Sequence, residues 1–220
     1  LGDEWRQSGG AELAADASIS AGRLFYRADD RPEARKWLER ALAQRDEHAA
    51  EAAHWLCRLL IKAGDSQAAV DLADKQLSQG SGPFATQLEL DMADALYELP
   101  ARRGEAFSRY VDFVKKHREH ELTPQATYSA AFAALDLKRY KEALQYAEQF
   151  LKAYPRHELD ADVKYVAAES QLQLKDYAAA ARSYRDLIGQ FGSRPEVETW
   201  KLRFGHALLL SKEYEQVVTL

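Results

Sequence analysis

Apolar and polar residues recur along this chain with the period of an α-helix, and the whole pattern returns at a nearly constant interval. A small apolar residue follows a short polar turn six times, at intervals of 35 residues once and 37 residues four times. Self-similarity at a period of about 20–50 residues is typical of repeat proteins. We name these six the register positions: Ala34, Ala69, Ala106, Ala143, Ala180 and Val217.

Each register position belongs to the apolar face of a predicted helix. Residues four, seven and eight positions later continue that face, as Tyr184, Leu187 and Ile188 do after Ala180. Twelve residues before each register position stands a residue that is small in five of six repeats, which predicts a close helix crossing. This column contains Gly22, Cys57, Asp94, Ala131, Ala168 and Gly205.

Turn-forming residues divide the pattern into helix pairs. Short polar turns such as Ala63-Gly-Asp-Ser66 separate a first from a second helix, and longer breaks such as Gln79-Gly-Ser-Gly-Pro83 separate one pair from the next. Twelve helical segments are predicted, the last of them incomplete. Stacked pairs of this kind bury their apolar faces only against their neighbours.

The pattern resembles the tetratricopeptide repeat, a helix–turn–helix unit. Tyr177, Ala180 and Tyr184 match its signature in the fifth repeat, and Tyr140, Ala143 and Pro155 do so in the fourth. The resemblance implies an all-α fold, a right-handed α–α superhelix. We expect one solenoid over residues 1–220 with repeats at 11–47, 48–82, 83–122, 123–157, 158–194 and, truncated, 195–220. The period of 37 and the Tyr-Pro ending resemble repeats of bacterial envelope proteins, which favours the periplasm or envelope over the cytoplasm.

Composition narrows the range of partners. The chain has 220 residues, 46% of them hydrophobic and 30% charged, so it is long and apolar enough to fold. A net charge of -5 argues against a dedicated binder of nucleic acid or anionic membranes. No stretch approaches the length of about 18 apolar residues that a membrane span needs, so no membrane insertion is expected.

Two groups of residues are candidates for chemistry, and each has a simpler interpretation. Cys57 lies in the small-residue column, so we expect a buried structural thiol; catalysis would need a base, and only His54 is near in sequence. His117 and His120 end a predicted helix. The His-Glu-x-x-His order of a metalloprotease site is absent, so we expect the two histidines to interact with the helix dipole and not with a metal ion. We therefore predict a protein that is not an enzyme and has no cofactor or metal.

A basic stretch at residues 101–120 has a local excess of three positive charges. We interpret it as a solvated helix face, with RNA binding as the minor alternative. Single-stranded RNA sites combine basic residues with exposed aromatic rings, whereas Tyr110 and Phe113 fall on the predicted buried face. Nucleic acid is therefore not an expected partner.

Partner contact is expected along the first helices, which line the concave side of such a superhelix. Their middle row contains Ala95 and five residues of the predicted site, and the rows on either side include Ile19, Asp91, Leu172, Leu202 and Leu209. Rigid aromatic residues and arginine are the usual anchors of an interface. The predicted concave site comprises Arg23, Arg58, Tyr128, Phe132, Tyr165, Glu169 and His206. The alternative is that superhelical twist buries its aromatic members against neighbouring repeats.

The sequence thus predicts a scaffold that binds a protein or peptide segment in a concave groove. The alternative is a structural spacer or self-assembling segment of a longer repeat array. An exposed apolar strip at the C-terminal end, formed by some of Phe204, Leu208, Val217 and Val218, is expected to favour self-association.

Overall fold

The computed structural model describes residues 11–44, 48–80 and 82–217, and within those ranges the regular structure is helical throughout. Two short 3₁₀ segments, Gly82–Phe84 and Pro100–Arg102, accompany the α-helices. None of the described helices has the length and apolarity to cross a membrane. The helices are α1 (Ala11–Arg27), α2 (Arg31–Leu42), α3 (Ala49–Ala63), α4 (Ser66–Gln79), α5 (Ala85–Tyr97), α6 (Arg103–Lys116), α7 (Thr123–Asp136), α8 (Tyr140–Ala153), α9 (Asp160–Gln173), α10 (Tyr177–Phe191), α11 (Val197–Ser211) and α12 (Tyr214–Val217).

The chain divides into two compact units, Leu1–Arg109 and Tyr110–Leu220. In the first unit, α1 to α5 pack on one another in sequence order, and α1 also contacts α3, as α3 contacts α5. In the second unit, α7 to α12 pack in sequence order, and α7 also contacts α9. The first helices α1, α3 and α5 of the first unit, and α7 and α9 of the second, therefore lie side by side, as the repeat pattern predicts. The expectation of one continuous solenoid remains a prediction.

The register positions lie at the tight helix crossings. Ala34, Ala69, Ala106, Ala143 and Ala180 are fully buried. The Cys57 thiol reaches the carbonyl oxygen of Ala69 at 3.5 Å, and a Cβ added to Gly22 would come within 2.6 Å of the Leu38 side chain. The columns twelve residues apart thus meet in space, which confirms the predicted packing of the first on the second helix.

Turns inside the helix pairs share one backbone conformation. Asp29, Gly64, Lys138, Lys175 and Lys212 have φ between 58° and 83°, in the left-handed region. Each follows the end of a first helix, and the next residue donates its N–H to a carbonyl five residues back, as Asp176 does to Gln171 at 3.0 Å. This αL ending satisfies the free carbonyls of the helix. The third pair uses the 3₁₀ segment Pro100–Arg102 instead.

Two successive repeat junctions of the second unit contain a cluster of three rings. Phe113 packs against His117 and His120, with ring centroids 4.7 and 6.3 Å away. The rings of Phe150, Tyr154 and His157, each 37 residues further along the chain, repeat this arrangement. The Nδ1 atom of His120 accepts the N–H of Leu122, and that of His157 accepts the N–H of Leu159. The histidines thus close the turn before the next helix.

The predicted apolar strip at the C-terminal end is wrong for two of its residues. Phe204 and Leu208 are buried in the core of the second unit, because α11 turns this face toward α10. The side chains of Val217 and Val218 lie outside the described part of the chain. The exposed apolar residues nearby are instead Leu202, Leu209, Leu210 and Tyr214, between 40% and 74% exposed.

Candidate protein-binding site

Three first helices of the second unit form a cavity of about 240 Å³ with aromatic walls. Tyr128 and Phe132 are one helical turn apart on α7, and their ring centroids lie 5.9 Å apart. Tyr165 faces them from the next first helix, α9. We name this space the aromatic cavity; its lining is Tyr128, Phe132, Asp162, Tyr165, Glu196, Thr199 and Trp200.

The structure brings together the three aromatic residues that the sequence placed in one site. Tyr128, Phe132 and Tyr165 are all half-buried, so their rings are held by neighbouring helices while part of each surface stays accessible. Trp200 also lines the cavity and was missed. It stands 37 residues after Val163 and 74 after Ala126, which are both buried, and a bulky residue at this place was the available signal.

The charge of the aromatic cavity is negative. Two carboxylates line it, those of Asp162 and Glu196, and no lysine or arginine is among its lining residues. The pKa of the Tyr128 phenol is raised, first because the group is buried and second because the Asp162 carboxylate repels the phenolate. Asp162 contacts Arg194 at 3.5 Å, with each side chain about a third exposed.

Glu169, a predicted site residue, is buried and belongs to a polar network behind the aromatic cavity. Its carboxylate accepts hydrogen bonds from the Tyr184 hydroxyl at 2.7 Å, from Gln173 at 2.8 Å and from two nitrogens of Arg203, of which Nε lies at 2.8 Å. Burial alone would raise the pKa of Glu169, but the donors from Arg203, Gln173 and Tyr184 together lower it.

This network connects three helices. Glu169 lies on α9, Tyr184 on α10 and Arg203 on α11, and the Tyr165 ring packs edge-on against Tyr184 with centroids 6.4 Å apart. The network therefore fixes the helices that carry Tyr165 and Trp200. Glu169 supports the aromatic cavity through these contacts, and both oxygens of its carboxylate already accept hydrogen bonds within the protein.

The remaining predicted site residues lie in different places. Arg23 and Arg58 belong to the first unit: Arg23 pairs with Glu51 at 3.4 Å and lies over the Trp55 ring, and Arg58 is exposed. His206 is exposed on α11.

Other members of the predicted first-helix face are buried. Ile19, Asp91 and Ala95 in the first unit and Leu172 in the second are 5% exposed or less. In the first unit the reason is that each first helix packs on the next, so that part of its predicted open face contacts protein. Sequence spacing alone could not distinguish the open residues of this face from those that contact a neighbouring helix.

A histidine–carboxylate pair lies within the first unit, with Asp91 buried and His54 half-buried. The His54 Nδ1 and an Asp91 carboxylate oxygen are 2.6 Å apart, on α3 and α5. Burial raises the pKa of Asp91, although His54 and Arg58 oppose that effect. Sequence reasoning did not find this pair. The signal that could have indicated it is a polar residue at the same place in two successive repeats, His54 and Asp91.

Cys57 is buried, as the sequence predicts. The pKa of its thiol is strongly raised, first by burial and then by the negative charge of Asp91, so the nucleophilic thiolate is disfavoured. Across the described ranges no group of three or more histidine, cysteine, aspartate or glutamate side chains could hold a metal ion.

A second, wider cavity lies on second helices of the second unit, with a volume of about 420 Å³. Lys115 and Arg118 line it together with Tyr146 and Tyr154. Within the basic stretch at residues 101–120, the aromatic residues Tyr110 and Phe113 are buried, as the sequence predicts.

These stacked helix pairs define an all-α protein with the fold of the tetratricopeptide repeat. No protein-family model and no curated protein matches the sequence. Solved structures nevertheless share its fold across most of its length, and three of them illustrate the likeness.

A structure from a functional characterization of Pseudomonas aeruginosa pilF covers 96% of this chain and 90% of its own, with a TM-score of 0.75 and 19% identity. A tetratricopeptide repeat protein from Parabacteroides merdae covers 94% and 77%, with a TM-score of 0.72 and 15% identity. The thermophilic TPR protein TTC0263 from Thermus thermophilus covers 89% and 99%, with a TM-score of 0.59 and 17% identity. At these identities the likeness establishes the fold.

Proposed function

We propose that the protein is an interaction scaffold whose second unit binds a segment of a partner protein at the aromatic cavity. The observation that carries this proposal is the convergence of Tyr128, Phe132 and Tyr165 on one accessible cavity. Proteins of this fold generally mediate protein–protein interactions. The proposal therefore agrees with the fold and adds a place for the contact.

The physical argument for binding is preorganisation. The rings sit on α7 and α9, which pack directly on each other, so they lose little conformational freedom when a partner docks. Aromatic side chains in partly desolvated pockets are the commonest anchors of protein interfaces. A partner segment bears most of the ordering cost, which favours an extended or disordered segment that folds onto the helices.

Catalysis has less support than binding. The candidate nucleophile, Cys57, is buried and its thiol pKa is raised by that burial. Its neighbour His54 is already hydrogen-bonded to Asp91. These contacts support a structural role for both side chains.

A random peptide library displayed on phage tests the proposal. We expect peptides to be enriched on the wild type and to lose binding to Thr199→Arg, because Thr199 is an exposed residue of the cavity wall that a long side chain would fill. The matched control is Ala178→Arg, which adds the same charge at an exposed position on α10 outside the lining. Equal capture by wild type and Thr199→Arg would defeat the proposal.

Self-association is a second candidate function. Leu202 is 74% exposed and Leu209 49% exposed on α11, and exposed leucines on one element favour contact with another apolar surface. We expect sedimentation equilibrium to detect dimers of the wild type that Leu202→Glu removes. A monomer at every concentration would exclude this function.

A further inference from the structure

We infer that the aromatic cavity binds an arginine side chain supplied by the partner protein. This inference rests on the proposed function and names the chemistry of the segment that docks. It follows from three properties of the aromatic cavity: the ring surfaces of its walls, the sign of its charge and its size.

The walls suit a cation. Tyr128, Phe132 and Tyr165 approach the cavity from two helices, and the face of an aromatic ring carries partial negative charge that attracts a guanidinium or ammonium group. The protein already uses this interaction elsewhere, since the Arg23 guanidinium lies 5.1 Å from the centroid of Trp55.

The charges select the same kind of ligand. Asp162 and Glu196 place two carboxylates on the lining, one from α9 and one just before α11, and no lysine or arginine lines the cavity with them. Glu196 makes no ion pair with any residue in the described ranges, and Asp162 has only the long contact to Arg194. An anionic side chain would be repelled here, and an apolar one would leave both carboxylates without a new partner.

The size and spread of the acceptors favour arginine over other cations. A volume of about 240 Å³ is below the range of about 300–1,000 Å³ that is common for small-molecule sites, so it fits one long side chain. A planar guanidinium can stack on a ring while its separate N–H groups reach two carboxylates. A lysine ammonium is a single point of charge and cannot do both equally well.

Short capped alanine peptides with one central residue test the inference directly. We expect the arginine peptide to bind with an affinity about tenfold higher than the peptide with neutral citrulline, since cation–π and carboxylate contacts need the charge. The lysine peptide should bind more weakly than the arginine peptide, and the glutamate peptide should not bind. The readout is the shift of the Trp200 indole N–H in NMR titrations, assigned with Trp200→Phe.

Two surface variants locate the contact. Glu196→Gln should weaken binding of the arginine peptide by about threefold to tenfold. Glu198→Gln removes the same charge two residues away, where the side chain pairs with Lys201 and does not line the cavity, and it should bind like the wild type. Both positions are exposed, so neither change threatens the fold.

The outcomes separate this inference from the proposed function. Peptides that are selected from the library at the aromatic cavity but tolerate replacement of arginine by citrulline or lysine would overturn the inference and leave the proposed function standing. A library that yields no cavity-dependent binder would overturn both. Equal binding by Glu196→Gln and the wild type would overturn the assigned contact.

Discussion

Replacing Glu169 by glutamine should destabilise the second unit more than Glu196→Gln or Glu198→Gln, because Glu169 is the buried carboxylate of the three. The substitution keeps the shape of the side chain and removes the negative charge that Tyr184, Gln173 and Arg203 all bind. One carboxylate oxygen, which accepts hydrogen bonds, is replaced by an NH₂ group, which can only donate them and therefore faces other donors. The buried network is then left with donors that have no acceptor.

The magnitude follows from the burial of each partner. An unsatisfied buried polar group costs about 1–3 kcal/mol, and breaking a buried ion pair costs about 3–5 kcal/mol. The side chain of Arg203 is 31% exposed and can recover part of its hydration, whereas Tyr184 is fully buried. We therefore expect Glu169→Gln to lower the free energy of unfolding by about 2–4 kcal/mol at neutral pH.

The effect should depend on pH with a defined sign. The pKa of Glu169 is lower in the folded protein than its ordinary value of 4.5, so the unfolded chain binds the proton more readily. Its contribution to stability is complete above that ordinary value and is lost as the pH falls through the folded pKa. The difference between wild type and Glu169→Gln should therefore shrink on acidification below about pH 4.5.

Urea unfolding followed by far-UV circular dichroism measures this difference at neutral and acidic pH. Glu198→Gln is the matched control, because that side chain is 77% exposed and its pair with Lys201 should contribute less than about 1 kcal/mol. Tyr184→Phe should cost about 1 kcal/mol by removing one donor. A loss below about 0.5 kcal/mol for Glu169→Gln, or one that does not change with pH, would refute the reasoning.

Three further changes test the packing and the turns. Ala143→Leu should cost about 1–3 kcal/mol, because it overfills a fully buried crossing, and an unchanged thermal midpoint would contradict the register. Gly22→Ala should also lower the midpoint, since its Cβ would meet Leu38 at 2.6 Å, whereas glycine to alanine in an open helix stabilises by about 1 kcal/mol. Lys175→Gly should raise stability by up to about 1 kcal/mol, because Lys175 has φ of 67°; a lower unfolding free energy would show that the αL conformation is not strained.

The sequence by itself determined the helices, their pairing and the register. The reason is that these features follow from local spacing: apolar residues at helical intervals, small residues at crossings and turn residues between them. Ala143 and Ala180 were placed at buried crossings from the 37-residue interval alone, and both are fully buried. The grouping of Tyr128 and Tyr165 came from the same interval.

Only the tertiary structure decided which of the first-helix residues are open. Phe132 and Glu169 occupy equivalent positions in successive repeats, yet the first lines the aromatic cavity and the second is buried by Tyr184 and Arg203. Trp200 lines the aromatic cavity, whereas Ala126 and Val163, at the equivalent places in the two preceding repeats, are fully buried. The physical reason is that exposure depends on the side chains of neighbouring helices, which differ from repeat to repeat even where the backbone pattern recurs.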